Sequence, residues 1–234
     1  MTTLENIKSW LINDELRCAT VRNVQTLENC LRHIVLAAEC ITAMQGYLPG
    51  LELAVYVDGE SQRLRRKYSV FRFHPERGEI ELLVYLHGQG PGSHWAAGLQ
   101  AGDSVWFRGF TGRITLDTQA ATHWFLGDET TLAPFAAIAA AAGSRCEGVI
   151  EGNGKVQALL ETLWLPFTSV PRKPGSDSRL IGIARTLDLP EVNTTIYVAG
   201  AARTVAAVNY VLLHERGIDA DRVRRKNFWG DKRR

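Results

Sequence analysis

The sequence has no Cys-x-x-Cys pair, and its four cysteines, Cys18, Cys30, Cys40 and Cys146, stand far apart along the 234 residues. That spacing supports neither a zinc site nor an iron–sulfur cluster; it reads as buried thiols in a reducing compartment. Long apolar runs are missing too. The alanine-rich stretch 133–142 is too short to span a bilayer, and the first residues lack the basic-then-apolar pattern of a signal peptide. A cytoplasmic protein without an integral membrane segment is therefore expected. An excess of one charge is also lacking, since 27 Lys and Arg face 25 Asp and Glu for a net +2. This gives no bulk electrostatic case for binding nucleic acid. Nothing calls for an oligomer, and a monomer is expected.

What is present suits a compact protein of one or two domains, with 45% hydrophobic and 22% charged residues. The charge is unevenly placed. Arg222, Arg224, Arg225, Lys226, Lys232, Arg233 and Arg234 crowd the last stretch against a single Asp231, and Arg63 to Lys67 form a second basic cluster. Most such runs are solvated surface, but a site for an anionic ligand is the sharper reading.

The first half alternates in the manner of half-buried strands. Segments 17–22, 31–36, 51–57, 68–73, 80–86, 104–109 and 113–116 are expected strands, with a turn at 74–78 and a short helix near 93–99. Short strands at this spacing indicate an antiparallel β-barrel. The second half alternates strand and helix: strands at 123–127, 147–150 and 195–200, helices at 131–142, 178–187 and 203–216. That pattern predicts an α/β domain with a mostly parallel sheet and ligands at the carboxyl ends of its strands. The fold class is thus α+β in two domains, 1–121 and 122–234, with the boundary near Ala120 to His123. Residues 1–16 read as an amphipathic helical lead-in.

Two motifs carry chemistry. Arg66-Lys67-Tyr68-Ser69-Val70 lies on a strand whose alternation puts Arg66, Tyr68 and Val70 on one face and Ser69 on the other. His87-Gly88-Gln89-Gly90-Pro91-Gly92-Ser93-His94-Trp95-Ala96 is a Gly-rich turn between a strand and a helix, a geometry that receives phosphates on backbone amides. Together they describe a site for a flat aromatic cofactor with a pyrophosphate tail, which is a flavin site. Elsewhere the bland reading is preferred. His33, His123 and His214 are isolated and read as satisfied structural histidines. Gly152-Asn153-Gly154-Lys155 lacks the spacing of a P-loop. Asp128 and Glu129 are adjacent acids that point apart and make a poor catalytic pair.

These motifs, with Gly102-Asp103, Gly127-Asp128-Glu129-Thr130, the run Val198 to Ala202 and the ending Lys226-Asn227-Phe228-Trp229, resemble the siderophore-interacting protein family. That family comprises the flavin-dependent ferric-siderophore reductases within the ferredoxin–NADP reductase superfamily. The resemblance implies an FAD-binding barrel followed by an NAD(P)H-binding domain. It puts Tyr68 against the isoalloxazine ring and Ser69 on its reactive nitrogen, as the catalytic pair, and Arg66 on the pyrophosphate. Gly90, Gly92 and Ser93 would present amides to the phosphates, with Val70, His87, Pro91, Trp95 and Ala96 beside the cofactor. Asp128, Glu129 and Thr130 would line the cofactor cleft. Arg222, Arg224, Arg225, Lys226 and Lys232, Lys226 foremost, would attract an anionic ferric siderophore. The family strand commonly carries Arg two residues after the Ser, where this chain has Phe71 with Arg72 following; alternation would aim Arg72 at the opposite face. No protein ligand to iron is implied. The activity implied is transfer of electrons from NADH or NADPH through FAD to chelated Fe(III), releasing Fe(II). A general NAD(P)H-dependent flavoprotein reductase with a ferredoxin-like protein partner is the alternative. Arg145, Lys173 and Arg203 are the candidate partners of a nicotinamide 2′-phosphate, and Phe228 and Trp229 either cap the flavin or pack the tail.

Overall fold

A computed structural model of the chain describes residues 15–58, 62–88, 90–173, 175, 177–189 and 193–230. The chain divides into two compact units, residues 1–112 and 113–234. The helical lead-in expected over Met1–Leu16 lies outside the described residues up to position 14.

The first unit is a closed six-stranded barrel in the order β1-β2-β5-β4-β3-β6. Its strands are β1 (Arg17–Leu27), β2 (Leu31–Ala37), β3 (Glu52–Asp58), β4 (Arg63–His74), β5 (Glu79–Tyr85) and β6 (Ser104–Thr111). All neighbours run antiparallel, and β1 pairs with β6 to close the ring. Alternation sends Val21, Ile34, Leu36, Leu53, Val55, Val70, Leu82 and Phe107 inward to one core. Of these, Ile34, Leu36, Leu53, Val55, Val70, Leu82 and Phe107 are fully buried. Outward residues satisfy one another on the other face. The Glu81 carboxylate lies 2.7 Å from His33 Nε2 and 3.1 Å from His74 Nε2.

The expected strand over 113–116 is absent. The carbonyls of Thr115 and Leu116 instead accept from the Arg224 guanidinium at 2.6 and 3.3 Å, so a side chain satisfies backbone that would otherwise need a ladder.

The second unit is a five-stranded, all-parallel sheet in the order β11-β10-β7-β8-β9. It contains β7 (Thr122–Asp128), β8 (Arg145–Gly152), β9 (Thr168–Pro171), β10 (Thr194–Ala201) and β11 (Val223–Trp229). The helices that bear on the site are Leu132–Ala142, Arg179–Thr186 and Ala202–Tyr210, the last continuing as a π-turn over Val211–Glu215. Ser178 caps the second of these, its hydroxyl accepting from the Leu180 amide at 3.2 Å. Among the elements of this unit that escape the sequence reading are the helix Val156–Thr162, β9 and β11. Four residues give β9 no period to read, and the charges of β11 hide its alternation.

Arg224 fixes the amino-terminal edge of this sheet. It pairs with Asp117 at 3.1 Å, while Asp117 accepts from Thr195 Oγ1 at 2.8 Å and from the Gln119 amide at 3.1 Å. Burial pushes the Asp117 carboxyl up, yet the Gln119 amide, the Thr195 hydroxyl and the Arg224 charge outweigh it and hold its pKa below the usual carboxylate value. A depressed folded-state pKa adds stability above about pH 4 that is lost as pH falls further. Asp117→Asn is therefore expected to cost about 1–3 kcal/mol at neutral pH. Thermal melts should show the gap from wild type closing below about pH 4.

Candidate functional site

The two motifs that the sequence places some twenty residues apart come together on the barrel. β4 delivers Arg66, Tyr68 and Ser69; the helix Pro91–Gly98 follows β5 and has Gly90 as its N-cap, with no side chain capping it. The Tyr68 hydroxyl donates to the Gly92 carbonyl at 3.2 Å. Its ring stacks on Trp95 with centroids 5.1 Å apart and planes 23° from parallel, an arrangement worth about 0.5–1.5 kcal/mol beyond the area buried. Burial pushes the Tyr68 phenol far up, opposed only by the Arg66 charge, so it stays protonated and donating. Gly92 is required by this contact. A Cβ there would sit 2.6 Å from the Tyr68 oxygen and 3.9 Å from Arg66 Cγ. The exposed Arg66 side chain thus runs past the head of the helix, and its one described hydrogen bond goes to the Arg65 carbonyl at 3.2 Å.

The remaining residues of the two motifs divide by direction. Ser69 is 8% exposed on the outer face, and its hydroxyl makes no hydrogen bond among the described residues. Val70 and Ala96 are fully buried in the barrel core, where their side chains set the spacing of their neighbours. Ala96 also has its carbonyl occupied by Arg32 Nε at 2.9 Å. The Ser93 hydroxyl donates to the His87 carbonyl at 2.8 Å, and its amide to Gly90 at 3.0 Å, so Ser93 closes the turn. His87 is exposed beside it, and Pro91 opens the helix. Arg72 is re-aimed by a bulge between Val70 and Arg72 that returns it to the outer face opposite Glu81, 3.8 Å from that carboxylate and over the Phe71 ring. Simple alternation had sent it inward.

At the carboxyl ends of the parallel strands lies a cavity of about 710 Å³ lined by Asp128, Arg172, Lys173, Arg203 and Trp229 among others. Two of its acids, Asp128 and Glu151, are held by protein hydrogen bonds. Asp128, 4% exposed, accepts from the Ala201 amide and Trp229 Nε1, each at 2.9 Å, and from the Thr130 amide at 3.0 Å. Gly200 leaves room for it, since a Cβ there would collide with the carboxylate. Glu129 takes Arg172 in a bidentate pair at 2.9 and 2.6 Å. Burial nonetheless raises the Glu129 pKa, opposed by its own backbone and by Arg172. Glu151 accepts from Ser178 Oγ at 2.8 Å and the Arg179 amide at 2.6 Å. Asp128 therefore lines this cavity, while Thr130 holds its carboxylate and Glu129 holds the lining residue Arg172. The sequence reading missed Arg172 and Glu151; the missing signal was β9, which ends just before Arg172.

The expected basic rim divides. Arg222 donates to the Thr194 carbonyl at 3.1 Å and Arg224 is bound as described, both at the amino-terminal edge. Arg225 is exposed, and Lys226 on the opposite side of β11 lies 5.7 Å over the Phe228 ring. Lys232 lies outside the described residues. Arg145 starts β8, beside Glu147 and away from the cavity, whereas Lys173 and Arg203 line it.

Two family models match the chain: the siderophore-interacting FAD-binding domain over residues 43–114 and the siderophore-interacting protein over residues 120–232. The solved siderophore-interacting protein from Acinetobacter baumannii is 20% identical, with a TM-score of 0.79 over 92% of this chain and 90% of that one. SipS, the siderophore-interacting protein from Aeromonas hydrophila, is 22% identical, with a TM-score of 0.79 over 93% and 92%. A ferredoxin NADP+ reductase from Neisseria gonorrhoeae, with bound FAD and NADP, is 16% identical, with a TM-score of 0.70 over 92% and 99%. At these identities the solved structures establish the two-domain fold. No curated protein matches the chain in sequence.

The barrel residues fit FAD on the structure's own terms. Ser69 has a hydroxyl with no hydrogen bond among the described residues, Arg66 lies exposed past the head of a helix without a side-chain cap, and Gly92 keeps the approach open. Gly92→Ala is expected to destabilise the barrel by about 1–3 kcal/mol through the clash with Tyr68. Tyr68→Phe, which keeps the stack and loses one hydrogen bond, should cost about 1 kcal/mol in chemical denaturation. From the fold, the two matching models and this cofactor geometry together, the chain belongs to the siderophore-interacting protein family.

Proposed function

We propose that this chain is an FAD-dependent ferric-siderophore reductase that draws electrons from NAD(P)H. The observation that carries the reading is the union of Arg66, Tyr68 and Ser69 with the helix head at Gly92, on a barrel that matches an FAD-binding domain. Arg66 is suited to the pyrophosphate, because a planar and permanently charged fork matches phosphate oxygens. The backbone from Gly90 to Gly92 adds amide donors and the positive end of a helix dipole. Tyr68, held by Trp95 and Gly92, offers a fixed aromatic surface for the ring system and keeps water from it. Ser69 supplies a hydroxyl for the reactive ring nitrogen. When bound, the flavin takes two electrons as hydride and passes them on one at a time.

The cavity at the carboxyl ends of the parallel strands suits the nicotinamide donor. Asp128 and Glu151 in its wall are held by neutral hydrogen-bond donors, while Arg172, Lys173 and Arg203 bring positive charge to it. Arg225 and Lys226 remain the residues that would draw in an anionic chelate, and Arg222 and Arg224 support the sheet beneath them. Ferric siderophores bind through hard oxygen ligands that hold Fe(III) far better than Fe(II), so one electron loosens the metal. Each hydride carries enough electrons for two ferric ions.

Arg66→Ala and Tyr68→Ala are each expected to weaken FAD binding about 10- to 100-fold in a fluorescence titration. For the activity, FAD-loaded protein is followed anaerobically as NADPH or NADH and then a ferric siderophore are added. A flavin absorbance that bleaches and recovers as Fe(II) appears in a chelating trap is the expected result. Bleaching without reoxidation by the chelate would transfer the reading to another electron acceptor.

A further inference from the structure

Of the basic cluster Arg63 to Lys67, only Arg66 has a place in the flavin site. β4 pairs with β5 only from Val70 onward, so its first half pairs with β3 alone among the described residues. Leu53, Val55 and Val57 of β3 and Val105 and Phe107 of β6 point into the core. Alternation therefore turns Tyr56, Trp106 and Arg108 outward, together with the exposed Arg65 and Lys67 of β4. Register sets these residues in two rows across three strands. Tyr56 stands opposite Arg65 on one side and Trp106 on the other, while Ala54 stands opposite Lys67 and Arg108. Directly opposed side chains have Cβ atoms about 4.5–5.5 Å apart, so each row forms one surface. Arg108 Nε donates to the Tyr56 hydroxyl at 2.9 Å and ties the rows together, and Trp106 is 38% exposed. The acids of these strands offset little of the charge: Asp58 pairs with Arg63 at 3.5 Å, and Glu52 is 1% exposed. The face is cationic and carries two aromatic rings. Ser69 lies on it too, two residues beyond Lys67, an advance of about 7 Å along a strand.

We propose that this outer face of β6, β3 and β4 docks the ferric chelate, and that it selects tris-catecholates over hydroxamates. The inference rests on the ferric-siderophore reading above. Doubly ionised catecholates carry more negative charge than Fe(III) carries positive, so their complex is an anion. Singly ionised hydroxamates only balance the metal and leave a neutral complex. Arg65, Lys67 and Arg108 attract the first and find no net charge to attract in the second. The catecholate oxygens keep enough charge, even on the metal, to accept from guanidinium and ammonium groups. Catechol rings also form flat walls around the iron, which Tyr56 and Trp106 meet in offset contact and which the arginines cover. A hydroxamate group has no ring to offer. A chelate seated at Arg65 and Lys67 lies beside Ser69, and so beside the edge of the flavin that Ser69 holds.

The test is calorimetric binding of redox-inert gallium(III) chelates to the FAD-loaded protein, a hexadentate tris-catecholate compared with a neutral trihydroxamate. Wild type should bind the tris-catecholate about tenfold more tightly or better, with an affinity that falls as salt is raised. Arg65→Gln/Lys67→Gln should weaken tris-catecholate binding about 10- to 100-fold, and Trp106→Leu about 5- to 10-fold. Both should narrow the gap to the trihydroxamate. Thermal melts confirm folding, and the single variants at Arg65 and Lys67 replace the double variant if it does not fold. Equal affinity of wild type for the two chelates overturns the proposal, as does tris-catecholate binding that keeps wild-type strength in the Arg65→Gln/Lys67→Gln variant. A variant that keeps the chelate but loses electron exchange with an acidic carrier protein would give this face to a protein partner, and overturns it too. Tris-catecholate binding that depends on Arg65 and Lys67, with no ferric chelate reduced, would overturn the reductase reading alone. Reduction of the ferric tris-catecholate with binding indifferent to these residues would overturn only this inference.

Discussion

The two-residue repeat of β4 against β3 is the constraint on which the barrel site depends. Val70 must face inward, because a fully apolar core accepts nothing else there. With that fixed, Ser69 and Glu52 can only face outward, and Tyr68 can only reach back toward Trp95 and Gly92. A register slip of one residue would exchange the two sets and bury the hydroxyl and the carboxylate in hydrocarbon. Site geometry and core packing are therefore one choice. The bulge after Val70 ends this regularity, and it is placed where the strand has delivered its last site residue.

The second unit depends on a different kind of constraint. Asp128 is withdrawn from water at the end of a parallel strand, and such a carboxylate persists only when its lone pairs are met. The Ala201 amide, the Trp229 indole and Thr130 meet them, which ties together the carboxyl ends of β7, β10 and β11. Glu129 turns the other way and holds Arg172 beyond the end of β9. Adjacent acids with divergent partners thus span the width of the sheet. The cavity at these strand ends is bounded by carboxylates held in fixed hydrogen bonds and by the cations Arg172, Lys173 and Arg203.

Most of the architecture could be read from the sequence because it follows from period. Strands as long as β2 and β5 show their alternation, and the run from Thr194 to Arg216 shows a strand passing into a helix. Arg66, Tyr68 and the Gly-Pro-Gly turn could be read because glycine and arginine have few reasons to occupy such positions. What could not be read depended on partners distant in sequence. Residues 113–116 alternate like a strand, but Arg224 satisfies their carbonyls from more than a hundred residues away. The charges of β11 concealed an edge strand. Val70 and Ala96 show the converse: membership in a motif did not reveal that their side chains point into the core.

A barrel closed by β1 on β6 has no free edge, but a five-stranded open sheet has two. One of these is β9, only four residues long and ending in Pro171, which has no amide hydrogen to offer a new strand. The other is β11, whose centre reads Arg224-Arg225-Lys226. Two copies meeting edge to edge along β11 would bring like charges into register, and the pairing would repel itself. The cations that a sequence reading assigns to a ligand thus also guard this chain against polymerising along its open sheet.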